Sequence, residues 1–292
     1  MSEAASGAGP LLPPLRDVIA RHELQPKRSL GQHFLLDANL TDRIARAAGD
    51  LRDVNVIEVG PGPGGLTRSL LAAGAARVVA VEKDPRCVAA IRELADAFPT
   101  RLNVIEADAL ECDICALAPV PRRIVANLPY NIAAPLLIEW LHVAPAFLGM
   151  TLMVQKEIAD RLVATPRSSD YGRLSVIAQW LCKVQREFNV DRNAFTPPPK
   201  VMSSVMTLTP HPRPIAPADW RSLEQVTAAA FGQRRKMLRG SLKALELDPK
   251  AVGIDPTRRA EELSVEEFCR LAQVHAERTA RQPSPRGDAR HS

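Results

Sequence analysis

Cysteine is scarce in this chain, with five residues in 292, an odd number spread from Cys87 to Cys269. Such a pattern excludes a disulfide-stabilised secreted scaffold and favours a reducing compartment. Long apolar runs are lacking as well, because the most apolar stretch, residues 135–154, is interrupted by a glutamate, a histidine and a proline. The first residues lack a basic-then-apolar signal pattern. We therefore expect no membrane span, no secretory signal and a cytoplasmic location.

Metal-ligand patterns are also lacking. Cys112 and Cys115 have C-x-x-C spacing, but no second cysteine pair or histidine lies near them in the sequence. Cys269 and His275 are six residues apart, a spacing that does not place them on one face of a helix. We therefore expect no metal site.

The composition is that of an ordinary globular protein, with 46% hydrophobic and 24% charged residues. A length of 292 residues predicts one large domain with a smaller appendage. Lysine and arginine number 38 against 33 acidic residues, which gives a net charge of +5. This excess would attract a polyanion such as nucleic acid, but it does not establish one as a partner.

Alternating strand and helix patterns predict the fold. Apolar, β-branched runs typical of buried strands occupy residues 54–59, 77–81, 103–106, 123–126 and 151–154. Helix-like segments occupy residues 65–73, 85–98 and 133–142, the second with Asp84 as N-cap and Pro85 at its first position. A later strand, residues 201–209, is expected to close the sheet antiparallel. We therefore predict a doubly wound, Rossmann-like α/β sheet.

Proline-rich stretches divide the chain into segments. Residues 1–26 are predicted to form a loose arm with one short helical turn, and residues 27–210 the α/β domain. Residues 211–281 are predicted to be a small all-helical domain that docks on RNA, with a disordered tail at 282–292. Its helices are predicted at residues 219–231, 233–245 and 264–279, the last opened by the capping box Ser264-Val-Glu-Glu267.

The segment Glu58-Val-Gly-Pro-Gly-Pro-Gly-Gly65 joins the first strand to the first helix. Its glycines satisfy the pattern G-x-G-x-x-G, so an NAD-dependent oxidoreductase is one candidate. A pyrophosphate, however, is held by backbone N–H groups, and Pro61 and Pro63 each remove one. The turn is better suited to a ligand without phosphates whose ribose and amino-acid parts lie against bare backbone. S-adenosylmethionine is such a ligand.

Two acidic residues support that cofactor. Glu82 ends the second strand, where a carboxylate can accept hydrogen bonds from both hydroxyls of a ribose. Asp108 follows the third strand, within reach of an adenine amino group. Glu82 alone would fit NAD equally well, and strand-end carboxylates also commonly cap the following helices.

After the fourth strand comes Asn127-Leu128-Pro129-Tyr130, at the edge of the sheet where ligands bind in open α/β folds. Methylation of a purine amine requires the nitrogen lone pair, which is delocalised into the ring, to be aimed at the methyl group. The Asn127 side-chain oxygen and the Leu128 carbonyl can accept from the amine, and Tyr130 offers a ring face for the base. The alternative is an N-cap asparagine followed by a turn proline.

Four motifs in this order resemble those of the small-subunit ribosomal RNA adenine N6-dimethyltransferases. They are Arg28-Ser-Leu-Gly-Gln-His-Phe-Leu35, the glycine turn, Asn127-Leu-Pro-Tyr-Asn131 and Phe195-Thr-Pro-Pro-Pro-Lys-Val201. The resemblance covers residues 27–276 and implies dimethylation of two adjacent adenines in the loop of the 3′-terminal hairpin of 16S RNA. It also implies a maturing small ribosomal subunit as the partner.

The resemblance also implies roles for particular residues. The implied cofactor contacts are His33, Leu35, Gly60, Glu82, Asp108 and Asn127. The implied catalytic residues are Asn127, Leu128, Pro129, Tyr130 and Phe195, the last stacking on the target base or anchoring its loop. Where this chain has His33 the family often has asparagine, so a side-chain contact and a surface role both stay open there.

A basic segment lies in the predicted helical domain. Its cations, without an intervening acid, are Arg234, Arg235, Lys236, Arg239 and Lys243. On a helix, three of them would repeat at every fourth residue and form a stripe that could follow a phosphate backbone. We expect RNA contact, although charge runs are more often solvated faces; Lys27 and Arg28 are candidates for the same surface.

These observations predict an S-adenosylmethionine-dependent, monomeric 16S RNA adenine N6-dimethyltransferase. The alternatives are a large-subunit (23S) RNA adenine methyltransferase of the antibiotic-resistance type, an NAD-dependent oxidoreductase and a non-catalytic ribosome assembly factor.

Overall fold

A mixed sheet of seven strands organises the larger part of the chain. The computed structural model describes residues 10–27, 31–233 and 235–281. Outside them lie residues 1–9 of the predicted arm, Arg28 with the next two residues of the first motif, Arg234 and the predicted disordered tail. The strands are β1 (Phe34–Leu35), β2 (Asn55–Val59), β3 (Arg77–Glu82), β4 (Leu102–Glu106), β5 (Arg122–Asn127), β6 (Met150–Gln155), β7 (Cys182–Val190), β8 (Phe195–Thr196) and β9 (Ser203–Pro210).

The described helices connect these strands and form the C-terminal part. They are α1 (Leu15–Arg21), α2 (Ala38–Ala47), α3 (Gly65–Ala72), α4 (Pro85–Asp96), α5 (Ala133–His142), α6 (Lys156–Val163), α7 (Arg173–Leu181), α8 (Trp220–Phe231), α9 (Leu238–Ser241) and α10 (Val265–Arg281). Among them, none combines the length and the hydropathy that a membrane-spanning helix needs.

The strand order of the sheet is β4-β3-β2-β5-β6-β9-β7. Strands β2 to β6 pair in parallel, and β9 pairs antiparallel with β6, with Met150 opposite Leu208. The chain moves outward from β2 to β4 and then returns to β5 on the other side of β2, so a topological switch point lies between β2 and β5. The predicted Rossmann-like sheet and its antiparallel closing strand are confirmed.

Local sequence explains where these elements begin. The Asp84 carboxylate accepts from the Arg86 N–H, and Pro85 takes the first position of α4, as predicted. The β-branched residues of β2 and β3 are almost completely buried, because helices cover both faces of a parallel sheet. Full burial of such side chains stabilises the fold by about 1.5–3 kcal/mol each.

The chain divides into two compact units. The first ends at Ala159 and resumes over Lys183–Pro210, and the second comprises Asp160–Cys182 and the chain from His211 onward. One boundary falls at Pro210, where the α/β domain is predicted to end, but α7 and the second half of α6 belong to the second unit. Their place is not visible in the sequence because it depends on the apolar cluster that Val176 and Trp180 share with α8 and α10.

The short helical turn predicted in the arm is present, but this part of the arm is not loose. Residues Leu15–Arg21 form α1, and Val18 and Leu24 are each only 3% exposed. They pack in one apolar cluster with Phe34, Cys87 and Ala90, so this part of the arm belongs to the fold. The proline content of this segment predicts a loose arm, but burial of the Val18 and Leu24 side chains holds it against the fold.

The predicted helix at residues 233–245 is wrong. Met237 is extended, with φ −68° and ψ 156°, and it pairs with Arg259 in an isolated bridge. The next N–H groups, those of Leu238 and Arg239, donate to the carbonyls of Arg258 and Pro256 instead of to carbonyls one turn earlier. Long-range hydrogen bonds therefore replace the helix, which is reduced to the four residues of α9.

The predicted capping box at the start of α10 is confirmed. The Ser264 N–H donates to Glu267 Oε2 at 2.8 Å, and the Glu267 N–H donates back to Ser264 Oγ at 3.3 Å. We expect Ser264→Ala to lower the free energy of unfolding of this unit by about 1 kcal/mol, because one helix N–H loses its acceptor. Urea denaturation measures the change. Ser264→Thr, which keeps the hydroxyl, is the control, and an equal loss in both variants would contradict the prediction.

Candidate functional site

A pocket opens at the carboxyl ends of β2, β3, β4 and β5, at the switch point of the sheet. It brings together most of the predicted site residues. Those that line it are His33, Leu35, Gly60, Glu82, Asp108, Asn127, Leu128, Pro129 and Tyr130. No group of three or more metal-ligating side chains occurs in residues 10–27, 31–233 and 235–281.

The glycine turn leaves no backbone donor for a diphosphate between residues 60 and 64. The N–H of Gly60 donates to the Val81 carbonyl at 2.9 Å, and that of Gly64 donates to the Pro61 carbonyl at 3.0 Å. The N–H of Gly62 donates to Glu82 Oε2 at 3.1 Å. Gly62 and Gly64 also have positive φ angles of 56° and 91°, a region that side chains with a Cβ rarely adopt. Because the other two residues are prolines, a dinucleotide pyrophosphate has nothing here to bind.

Glu82 lies at the end of β3 and is 7% exposed. Its Oε1 accepts from the N–H groups of Lys83 and Asp84, both at 2.9 Å, and its Oε2 accepts from Gly62. Burial raises the pKa of this carboxyl, and the three backbone donors oppose the rise. Since a carboxylate has about four acceptor positions, one position on Oε2 is left for a ribose hydroxyl.

Asp108 follows β4 at the neighbouring strand end. Its Oδ2 lies 2.5 Å from Lys83 Nζ, and its Oδ1 accepts from the Leu110 N–H at 3.1 Å. The hydrogen bond from Lys83 holds the pKa of Asp108 below its usual range. A negatively charged acceptor is thus held where an adenine amino group could donate to it, and Asp108 also caps the short helix that follows.

Asn127 is the last residue of β5 and lies between the glycine turn and the segment before β1. Its Nδ2 donates to the His33 carbonyl at 3.4 Å, which leaves the side-chain oxygen as an acceptor. The next residue, Leu128, is 1% exposed, and its N–H donates to the Met153 carbonyl at 3.1 Å. The backbone of the Asn-Leu-Pro-Tyr corner is therefore fixed to the sheet.

Phe195 does not line this pocket. It is 2% exposed, lies opposite Leu35 in the short antiparallel pair of β1 and β8, and belongs to the apolar cluster under the sheet. This packing is that of a residue which anchors its loop. Stacking of Phe195 on a base stays a prediction, because the ring would have to leave the cluster to reach one.

Two features of the pocket are missed by reasoning from sequence. Glu58 on β2 lines the pocket and is 1% exposed, and its Oε2 has no hydrogen-bond partner among the described residues. Burial raises the pKa of Glu58 to about 8, while the Thr67 hydroxyl opposes the rise. The other feature is Phe34, whose ring lies 3.2 Å from the position of a Cβ on Gly62. An acid two residues before the glycine pattern is the signal that could have indicated Glu58.

The predicted RNA-binding residues lie in the second unit. Arg235, Lys236, Arg239 and Lys243 are all exposed. They do not form a helical stripe, because Arg235 precedes the extended Met237, and Lys243 begins a separate 3-10 turn after α9. Their positive charge is nevertheless concentrated in a segment of nine residues, in which all four cations are exposed.

A Rossmann-like methyltransferase is the class that this fold and this pocket define. The model of the ribosomal RNA adenine dimethylase family matches residues 23–277. The chain therefore belongs to the ribosomal RNA adenine dimethylase family.

Individual relatives agree with this family. A protein of Rhodospirillum rubrum named ribosomal RNA small subunit methyltransferase A is 59% identical over 274 residues, which cover 93% of this chain and 95% of the relative. A protein of the same name from Paramagnetospirillum magneticum is 61% identical over 271 residues, which cover 92% of this chain and 96% of the relative.

Solved structures show the same fold. A dimethyladenosine transferase from Plasmodium falciparum is 26% identical, with a TM-score of 0.71, over 85% of this chain and 98% of that chain. The 23S rRNA methyltransferase ErmE is 29% identical, with a TM-score of 0.63, over 82% of this chain and 98% of that chain. The large-subunit alternative is less favoured. The sequence identity between ErmE and this chain is about half of that between the two small-subunit relatives and this chain.

Proposed function

We propose that this protein uses S-adenosylmethionine to dimethylate the N6 amines of two adjacent adenines in the 3′-terminal hairpin loop of 16S RNA. The substrate is the RNA in a maturing small ribosomal subunit, and the protein acts as a monomer in the cytoplasm. A pocket built from one chain supports the monomer. The names of the relatives at 59% and 61% identity support the small subunit as the target.

The observation that carries this proposal is the orientation of Asn127. Because its Nδ2 donates to the His33 carbonyl, its oxygen is the group available to accept an N–H of an adenine amine. An amine held in this way keeps its lone pair free for attack on a methyl group. The nitrogen becomes cationic as the bond to the methyl carbon forms, so an oriented acceptor dipole stabilises the transition state.

The donor set of the pocket fits S-adenosylmethionine. Glu82 would take a ribose hydroxyl through Oε2, Asp108 would accept from the adenine amine, and the glycine turn offers bare backbone without phosphate donors. When bound, this cofactor supplies an activated methyl group on a sulfonium. The Tyr130 ring would stack on the target base beside Asn127, and the Leu128 carbonyl would be a second acceptor for its amine.

One assay tests the proposal. Purified protein is incubated with methyl-labelled S-adenosylmethionine and either unmethylated small subunits or large subunits, and the RNA nucleosides are then analysed. We expect N6,N6-dimethyladenosine at two adjacent positions near the 3′ end of 16S RNA. Methylation of the large-subunit RNA instead would favour the resistance-type activity, and subunit binding without methyl transfer would indicate an assembly factor.

We further propose that the exposed cations of the second unit bind RNA. We expect the double variant Arg235→Glu and Arg239→Glu to weaken small-subunit binding, because two phosphate contacts are lost. The slope of log K against log salt should become shallower by about 1.5. The measurement is binding affinity from 50 to 300 mM salt.

The matched control makes the same charge change in the first unit, at the exposed Arg16 and Arg77. We expect this control to keep the wild-type salt slope. If both double variants lower the slope equally, net charge accounts for the effect and a specific role for the basic segment is refuted.

A further inference from the structure

Tyr130 is held at its hydroxyl end by a residue that the sequence motifs do not include. Its phenol oxygen lies 2.6 Å from Ser203 Oγ. Ser203 is fully buried and begins β9, where it pairs with Gln155 of β6. The hydroxyl partner of Tyr130 therefore belongs to the sheet, where pairing between neighbouring strands holds its position.

The ring of Tyr130 is held by His33. The two ring centroids are 5.4 Å apart with the planes tilted by 31°. His33 Nδ1 lies 2.8 Å from the Pro197 carbonyl oxygen, which can only accept, so Nδ1 carries the proton and donates. The imidazole is thus tied to the loop between β8 and β9 while its face contacts Tyr130.

His33 also reaches the amine acceptor, since its carbonyl accepts from Asn127 Nδ2 at 3.4 Å. One residue therefore links the acceptor Asn127 to the ring Tyr130. Gly31 packs against the same corner, because a Cβ there would lie 3.6 Å from the Tyr130 backbone nitrogen and 2.8 Å from Asn131 Oδ1.

We propose that Ser203 and His33 are positioning residues that fix the plane of the Tyr130 ring, so that a stacked base presents its amine to Asn127. This inference rests on the proposed function in one respect, the stacking of the target base on Tyr130. A ring that turns freely would move the amine by ångströms relative to the methyl group, and misplacement of that size is costly to transfer. The family often has asparagine at the position of His33. In this chain His33 acts on the reaction through its ring contact with Tyr130.

The first test observes the ring directly and needs neither cofactor nor RNA. The chain has only two tyrosines, Tyr130 and Tyr171, so ring-labelled tyrosine gives two sets of NMR signals, and Tyr130→Phe assigns them. We expect Ser203→Ala to shift the Tyr130 signals and to speed its ring flips, while Tyr171, in the other unit, stays unchanged. Ser203→Thr should restore the wild-type signals. Unchanged Tyr130 signals in Ser203→Ala would overturn the proposal.

The second test separates the two features of His33. His33→Phe keeps a ring beside Tyr130 but loses the donor to Pro197, whereas His33→Asn keeps an amide donor but loses the ring. We expect the asparagine variant to shift the Tyr130 signals more than the phenylalanine variant does. If both variants leave Tyr130 unchanged and weaken S-adenosylmethionine binding in calorimetry, His33 is a cofactor ligand and its positioning role is refuted.

The third test is a double-mutant cycle on methyl transfer. We expect Ser203→Ala to lower kcat by about fivefold to tenfold, the equivalent of one hydrogen bond, with KM for S-adenosylmethionine unchanged within about twofold. Combined with Tyr130→Phe it should cause no further loss, because both changes remove the same contact. If the losses in kcat caused by the two single substitutions multiply in the double variant, the proposal is contradicted. Absence of methyl transfer by the wild type would refute the proposed function and leave the NMR result intact.

Discussion

Asn127→Ala is expected to lower the rate of methyl transfer by about 10²- to 10³-fold while binding to small subunits stays nearly unchanged. The substitution removes the acceptor for the adenine amine, and the basic segment of the second unit is untouched. It also removes the donor to the His33 carbonyl, but at 3.4 Å this hydrogen bond is long and contributes little to stability. Single-turnover methylation and a subunit-binding assay measure the two effects separately.

Two further variants sharpen this test. Asn127→Asp keeps acceptor oxygens but loses the donor to His33, so its loss should be smaller than that of the alanine variant. Asn103→Ala changes an exposed asparagine on β4 and should behave like the wild type. Wild-type turnover in Asn127→Ala would refute the role of this residue as the amine acceptor, whatever the other variants show.

Glu58→Gln is expected to remove a pH dependence of stability of about 3 kcal/mol between pH 5.5 and pH 8.5. The folded protein holds a proton on Glu58 up to a pKa of about 8, whereas the ordinary value is 4.5. Unfolding therefore releases this proton between the two values, and the free energy of unfolding falls as pH rises through that window. Above about pH 9 this contribution no longer changes, because Glu58 is then ionised in both states.

The measurement is urea denaturation of the wild type and the variant at both pH values. A constant cost of burying the glutamine amide cancels in the difference between the two pH values, so only the titration of Glu58 is compared. Glu111→Gln, at an exposed position, is the control and should keep the wild-type dependence. An unchanged pH dependence in Glu58→Gln would show that another group is responsible for it.

The cofactor side of the pocket was largely predictable because its signals are local. Two prolines in the glycine turn indicate missing N–H donors from sequence alone, and the structure shows the remaining donors of Gly60, Gly62 and Gly64 already in use. The strand ends were predictable for the same reason, since buried parallel strands are continuous apolar runs. The residues after each strand therefore meet at one edge.

The substrate side of the pocket was less predictable because its contacts are distant in the chain. Ser203 meets Tyr130 across 73 residues, and His33 meets Pro197 across 164. Neither pairing has a sequence pattern of its own. The segment from residue 156 to 190 likewise gave no prediction, although it forms α6, α7 and β7.

The sequence by itself determined the doubly wound sheet, the phosphate-free glycine turn and the Asn-Leu-Pro-Tyr corner. Each depends on hydrogen bonding and burial within a few residues of chain. The tertiary structure alone decided that Phe195 is buried, that Tyr130 contacts Ser203 and His33, and that residues 235–237 are not helical. In these places the competing contacts come from remote segments, and a long-range hydrogen bond or an apolar cluster outweighs the local preference.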